Sequence, residues 1–426
     1  MKISILLGRG VEGVGLTKNV VELQKLYGED NVDIYATIDK TWGRAESMNF
    51  KWQPFRGADW TRGKASRKFP DCISTSEVVD RINLSDLCLV FSVPSQDHPQ
   101  ECIDNFLEMI KQITIPKSLI QVDHLIQSIR RNALLKEICQ ELDVLLCHST
   151  ENPFAGWVKD NKITTPLMSM GVGFNFTKDA WLPVEEQVPR TIRWVGRAAG
   201  WKGPELMIDL HNKYFQPAGY ITMLEGLEAN ISYKSILNRI ADDDTTRRDV
   251  VNFFRYEKER HPADQPRDPV YGDEQRNKGA YLYPPYKYAE MLQRMNKTTF
   301  GSDLMHFKTN IYGNNIEYCH TDSFAGGAIP LFHKHFCDNV IHRKQGLPIN
   351  QCKNTGTLSI DMNTAPETLQ TMELLSTDLV MRQEWREQMY EFWSEHCDAA
   401  VVYADIIDKT LNPPKKAASV FSQLFT

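Results

Sequence analysis

Residues Thr191–Met207 read TIRWVGRAAGWKGPELM, and this stretch decides the fold. The apolar run Ile192-Arg193-Trp194-Val195 predicts a strand, Gly196 opens a loop of small residues, and Pro204 stands where a helix would begin. Proline suits a first helical position, because the N–H it lacks would have had no intrahelical partner. Strand, tight turn and helix start in that order make half of a parallel α/β unit. The turn carries Arg197 and Lys202, five residues apart. Free N–H groups and the dipole at a helix start both favour an anion. A guanidinium fork and an ammonium beside them suit a diphosphate. Two solvated cations after a strand are the plain alternative on this stretch alone.

Working outward, the N-terminus repeats the pattern. Lys2–Leu7 predicts a buried parallel strand, and GRGVEGVGLTK follows with Gly8, Gly10, Gly13 and Gly15. Glycines let backbone approach a ligand closely. The spacing is that of a dinucleotide loop, with Asp33 as the acid expected about 20 residues on. No Lys-Ser/Thr follows Gly13, so this is not a Walker loop. Further strands are expected at Val32–Thr37, Leu87–Val93, Leu119–Val122, Val144–Cys147 and Met168–Val172, then at Tyr220–Leu224 and Ala328–Phe332. Polar groups gather after several of them, Asp123-His124 above all, where open α/β sheets bind ligands. Residues 178–190 read as a linker and 240–280 as a charged surface excursion. Helices are expected over Tyr288–Met295, Asn315–Phe324 and, as one long helical end, Pro366–Ile407.

At 426 residues the chain has room for two or three domains, and 42% apolar residues suffice for their cores. A net charge of −6 excludes a protein basic throughout. No leader-like segment opens the chain, and no apolar run approaches the ~18 residues of a membrane span. Nine cysteines without a CxxC spacing fit reduced thiols. Residues 40–68 stand apart, with eight Lys and Arg against two acids and aromatic residues interleaved. Trp42, Arg44, Lys51, Trp52, Arg56, Trp60 and Arg62 there suit a nucleic-acid backbone with rings to stack or wedge. A surface loop pinned by its tryptophans is the other reading. Arg130 and Arg131 could grip phosphates or simply face solvent.

Glu317 and Asp322, five residues apart, would reach different groups, and carboxylates accept well from vicinal hydroxyls. Acids at a helix start would equally suit the dipole. His333, His335 and Cys337 alternate as metal ligands could, but no fourth ligand is evident.

GRGVEGVGLTK, FSVPS, DHLIQSIRRN, RWVGRAAGWKG, PAGYITMLEGLE and IEYCH…GGAIPLF, in this order from Met1 to about Phe332, resemble the DNA α-glucosyltransferases of T-even phages. The resemblance implies an α/β GT-B fold, two Rossmann-like domains facing across a cleft. Residues 1–180 would take DNA and acceptor, with the basic aromatic loop at 40–70; residues 190–395 would take the donor. Residues 396–426 would form a helix packing back towards the first domain. The implied reaction moves a sugar from a UDP-sugar to the hydroxymethyl group of 5-hydroxymethylcytosine in double-stranded DNA. It would retain the anomeric configuration and flip the target base. Arg197 and Lys202 would hold the diphosphate, Glu317 the sugar hydroxyls and Asp322 the ribose. Glu225 would join the donor site, and Gly10, Gly13 and Gly15 would close on the donor. Asp123 and His124 would sit at the acceptor hydroxyl. The family implies no metal, no cofactor beyond the donor, no membrane, and a place in the cytoplasm of the infected bacterium. The oligomeric state stays open, with a monomer expected. Val122 stands where the family pattern has His, and Asp322 where it has Glu. Both glucose and arabinose therefore stay open as the sugar. A non-DNA acceptor and an NAD-dependent oxidoreductase are the alternative readings.

Overall fold

The computed structural model describes residues 1–8, 14–37, 53–55, 71–94, 100–121, 133–147, 153–171, 173–174, 178–196, 202–225, 280–282, 288–304, 318–334, 337 and 356–415. The chain divides into two compact units, Met1–Asn175 with His396–Thr426, and Phe176–Lys308 with Ile316–Glu395.

The first unit's sheet holds β1 (Ile3–Leu7), β2 (Val32–Thr37), β3 (Gln53–Phe55), β4 (Leu87–Ser92), β5 (Lys117–Gln121), β6 (Val144–Cys147) and β7 (Leu167–Ser169). All pair in parallel, in the order β3-β2-β1-β4-β5-β6-β7. A parallel sheet is covered on both faces, so its strands need apolar residues on both. β1, ISILL, is buried at every position. Ile5 and Leu7 pack with Val20 and Leu23 of the helix Val14–Tyr27 and with Val402, Tyr403 and Ile406 of the helix Ala399–Leu411. Leu6 points the other way, into a core with Val78, Phe106, Ile110 and Ile138. Each such side chain contributes about 1.5–3 kcal/mol by leaving water. Asp398 caps the helix Ala399–Leu411 by accepting the Ala400 N–H at 2.8 Å, and Thr410 donates to Ser118 Oγ on β5 at 2.9 Å.

The second unit's sheet holds β8 (Val188–Val195), β9 (Ile221–Glu225), β10 (Ala280–Leu282), β11 (Thr298–Asp303), β12 (Ile329–His333) and β13 (Leu358–Ile360). Its order is β10-β9-β8-β11-β12-β13, again all parallel. Ile192 and Trp194 face a core with Met207, Ile208 and Leu375. Val195 faces the other way, onto Met291 and Met295 of the helix Tyr288–Asn296. In both sheets the strand order reverses beside the first strand, between β1 and β4 and between β8 and β11. A doubly wound sheet opens a crevice for ligands at that point, beyond the carboxyl ends of the strands.

Three features differ from the sequence reading. The segment expected as a linker carries two short 3₁₀ turns and then enters β8 at Val188, whose N–H bonds to Lys297 O at 2.9 Å. The strand β11, TTFGSD, was not expected, since it has a single large apolar residue. The long helical end is three helices, Ala365–Thr377, Leu379–Cys397 and Ala399–Leu411, punctuated by Asp378 and Asp398. Among the described residues no helix is long and apolar enough to cross a membrane.

Candidate active site

The site is built on the end of β8. Apolar residues on both faces hold that strand inside the sheet, and it stops at Val195. The Gly196 N–H then bonds to the Glu225 carbonyl at the end of β9, 3.1 Å away. Residues 197–201, Arg197 among them, lie outside the described residues. The chain is picked up at Lys202, whose carbonyl accepts the indole N–H of fully buried Trp194 at 3.1 Å. The Lys202 stem folds back over the strand end, for a Cβ on Gly196 would lie 3.5 Å from Lys202 Cδ.

Gly203 follows with φ +71°, and a Cβ there would fall 2.1 Å from the Leu304 carbonyl oxygen. Only glycine fits, by conformation and by space. Leu304 directly follows β11, so the turn is wedged into the switch point between β8 and β11. Pro204 then opens the helix Pro204–Leu210. Lys202 is thus held at the edge where a doubly wound sheet takes its ligand.

Beside the turn lies a buried ionic network. Glu225 has no solvent exposure, and its carboxylate pairs with Arg193 of β8 and with Arg294 of the helix Tyr288–Asn296. Glu290 lies 3.8 Å from Arg294. Two guanidinia and two carboxylates compensate one another, which a charge group removed from water requires.

Asp322 is 6% exposed and sits on the helix Tyr318–Ala325. That helix lies close on β11: a Cβ on Gly301 would fall 2.4 Å from Ser323 Oγ. Its last turn is held by Trp181, whose indole N–H donates to Phe324 O at 2.9 Å, and the Arg386 guanidinium stacks 4.9 Å over the same indole.

Of the residues singled out in the sequence, Lys202, Glu225 and Asp322 are thus all in the second unit, and the main chain joins the turn to Glu225 directly. Gly15 lies in the first turn of the helix Val14–Tyr27. Gly10, Gly13, Asp123, His124, Arg130, Arg131, Arg197 and Glu317 lie outside the described residues, as do Trp42, Arg44, Lys51, Trp52, Arg56, Trp60 and Arg62. His335 does too; His333 closes β12 and Cys337 is buried, and no metal-holding group of His, Cys, Asp or Glu occurs among the described residues. The sequence reading missed Arg193, Arg294 and Gly203. Gly203-Pro204 was legible as a helix-start signal, but the obstacle that makes glycine obligatory lies a hundred residues away in Leu304.

Comparison with known proteins places this geometry. A DNA α-glucosyltransferase of Enterobacteria phage T4 is 26% identical over 430 residues, covering 96% of this chain and 99% of the phage protein. A solved α-glucosyltransferase in complex with UDP superposes with a TM-score of 0.74 at 25% identity, covering 96% of this chain and 99% of that one. Another, in complex with UDP-glucose and DNA containing an abasic site, has a TM-score of 0.73 at 25% identity and the same coverage. The architecture is that of GT-B glycosyltransferases. The profile of the AGT family, described as DNA alpha-glucosyltransferase, matches residues 72–380, and this chain belongs to that family.

Proposed function

We propose that the protein transfers glucose from UDP-glucose to the hydroxymethyl group of 5-hydroxymethylcytosine in double-stranded DNA, retaining the configuration at the anomeric carbon. The observation that carries the reading is the wedged turn: Trp194 and Leu304 fix Lys202 at the switch point of the second sheet. Membership of the family and the relative's complex with UDP-glucose and DNA containing an abasic site support the donor and DNA as the partner.

In the reaction the bond from the sugar C1 to the diphosphate breaks, and its electrons leave with UDP. A bond forms from C1 to the hydroxymethyl oxygen, which gives its proton to a base at the acceptor, the place assigned to Asp123 and His124. Negative charge grows on the leaving diphosphate, so fixed cations there lower the barrier. Arg197 and Lys202 are assigned that work. Asp322 takes the ribose and Glu317 the sugar hydroxyls. Gly10, Gly13 and Gly15 bring backbone close to the donor, and Asp123 and His124 attend the acceptor hydroxyl. The target lies inside a duplex, so the nucleotide must flip, at a cost of a few kcal/mol, roughly. The basic aromatic loop at 40–70 offers cations for the phosphates and rings for the vacated stack. Replacing Lys51, Arg56 and Arg62 together should weaken DNA binding and flatten its salt dependence while leaving UDP affinity alone.

The direct test is mass spectrometry of hydroxymethylated DNA after incubation with UDP-glucose or UDP-arabinose. A hexose gain is expected. A pentose gain would change the donor, and no gain with UDP release absent throughout would reject the reading. EDTA should leave the rate largely intact, because the protein's own cations hold the leaving group. Complete loss in EDTA would overturn the roles given to Arg197 and Lys202.

A further inference from the structure

Three guanidinium N–H groups converge on the two oxygens of Glu225. Arg193 Nη1 and Arg294 Nε share Oε1, the latter at 2.7 Å, and Arg294 Nη2 reaches Oε2 at 3.2 Å. Arg193 Nε also donates to Thr298 Oγ1 at 3.1 Å, and that hydroxyl donates to Arg294 O at 2.8 Å. Arg193 thereby links β8 to the start of β11, and the Glu225 carboxylate ties β8 and β9 to the helix Tyr288–Asn296. The main-chain carbonyl of Glu225 holds the Gly196 N–H, just past the end of β8.

Taking Lys202 as part of the diphosphate grip, we infer that Glu225 is a positioning residue for that cation and makes no contact with the sugar. A bare carboxylate beside a diphosphate would repel it. Here the carboxylate is paired with two guanidinia and shut off from solvent, so the field beyond the strand end is left to Lys202. Its lone pairs are engaged by arginines, which leaves it little to offer a hydroxyl. What it does fix is distance. If its charge is removed, Arg193 and Arg294 face one another without their shared counter-ion, and they separate. Arg193 is three residues before Gly196, so the strand end and the turn move with it. Charge stabilisation depends steeply on such placement, and a displacement of ~1 Å can cost about a hundredfold.

The two roles predict different ligand patterns. A sugar contact would be felt by UDP-glucose and not by UDP. A residue acting through the diphosphate turn is felt equally by both. The experiment measures UDP and UDP-glucose affinity by calorimetry on the full chain, for the wild type, Glu225→Gln, Arg294→Gln and Arg294→Lys. Both ligands should weaken by the same factor in Glu225→Gln, about tenfold. Arg294→Gln should do the same more mildly, and Arg294→Lys, which keeps a cation on Glu225, should restore most of the loss. In a Lys202→Ala background the effect of Glu225→Gln should shrink, whereas general loosening of the fold would persist unchanged. Should Glu225→Gln fail to fold, the Arg294 pair carries the test, since that side chain is 24% exposed and tolerates replacement more easily. Loss of UDP-glucose binding alone would overturn the inference, as would unchanged affinity for both ligands. A wild type that binds no UDP would instead sink the diphosphate reading beneath it, an outcome that needs no variant to recognise.

Discussion

A single methyl group at position 203 tests the site most sharply. Gly203 has φ +71°, and an added Cβ would lie 2.1 Å from Leu304 O, 2.7 Å from Leu304 C and 2.8 Å from Leu304 Cβ. The left-handed conformation alone costs an L-residue about 1–2 kcal/mol. Carbon contacts settle near ~3.5–4 Å, so the turn must also retreat by about 1 Å or more. The obstacle is the main chain at the end of a buried strand, so the turn yields and not the strand. Overpacking of this kind costs a further ~1–3 kcal/mol. Gly203→Ala should therefore destabilise by about 2–5 kcal/mol, a fall in melting temperature of roughly 5–15 °C for a unit of this size. Gly219 supplies the control, since its φ is +76° with no heavy atom within 4 Å of a built Cβ. Gly219→Ala bears only the conformational cost, about 1–2 kcal/mol. The difference between the two variants isolates the clash. Because Lys202 immediately precedes Gly203, Gly203→Ala should also lower the rate of UDP release by about a hundredfold, whereas Gly219→Ala should not. Thermal melts and a UDP-release assay on both variants decide the matter. If Gly203→Ala melts with Gly219→Ala and turns over like the wild type, the wedge against Leu304 is not what holds the turn.

Other consequences can be checked independently. Arg382 gives N–H groups to Leu375 O (2.6 Å), Ser376 O (2.7 Å) and Val184 O (3.1 Å), whereas Arg386 gives one to Leu182 O (3.0 Å) and leaves its Nε without a protein partner. Arg382→Met should cost about 3–5 kcal/mol in urea unfolding. Arg386→Met should cost about 1 kcal/mol or less, because burial, with Arg382 nearby, pushes the Arg386 pKa down to about 10 and its charge opposes folding at every pH below that; equal losses would refute the distinction. Burial likewise pushes the thiols of Cys88 and Cys139 up to about 12. Iodoacetamide near neutral pH should leave both unmodified in the native protein and modify part-exposed Cys72 sooner, as peptide mass mapping would show. Partial burial pushes the Asp361 carboxyl up, but N–H groups of Thr364 and Asn363 outweigh it and hold the pKa below its ordinary value. Its stabilisation is present above the usual carboxylate range and lost as pH falls through the lower, folded value. Asp361→Asn should therefore narrow the stability gap between about pH 7 and pH 3, and an unchanged gap would count against those bonds.

The strands that could be read from the sequence are those whose burial is apolar. Val32–Thr37 and Val144–Cys147 were expected at their observed limits, since nothing but a covered strand accounts for such runs. β11 was hidden because its burial is polar. All six of its residues are buried, yet Thr298 donates to Arg294 O, Thr299 to Val188 O at 2.7 Å, and Ser302 to Leu331 O at 2.8 Å. The hydroxyls of Thr299 and Ser302 are satisfied by carbonyls far off in sequence, and no local pattern reveals a distant partner. β3, β10 and β13 escaped for a different reason: three residues are too few for a period. In the site, Lys202 and Asp322 could be singled out by residue type and neighbourhood. Arg193 could not, since an arginine inside an apolar run looks like an outward-facing residue until Glu225 is found opposite it.

The placement of polarity in the two sheets has its own logic. β1, β4 and β6 are apolar with few exceptions, although their sheet also buries Thr37, Lys117, Ser118 and Gln121. β8, β9 and β11 bury Arg193, Thr222, Glu225, Thr298, Thr299, Ser302 and Asp303. Those residues flank the switch point from which the turn departs. Apolar packing there would give comparable stability with less to satisfy, for a buried ion pair is seldom a net gain over hydrophobic residues of similar size. Directional bonds do what apolar contacts cannot, which is to set the height and angle of one strand end relative to its neighbours. Gly196, Lys202 and Gly203 are each held by such a directional or steric constraint, to Glu225, Trp194 and Leu304 in turn. The buried ion pairs of Glu225 with Arg193 and Arg294 are what the proposed function needs from the second sheet, a rigid mount that holds charge in register.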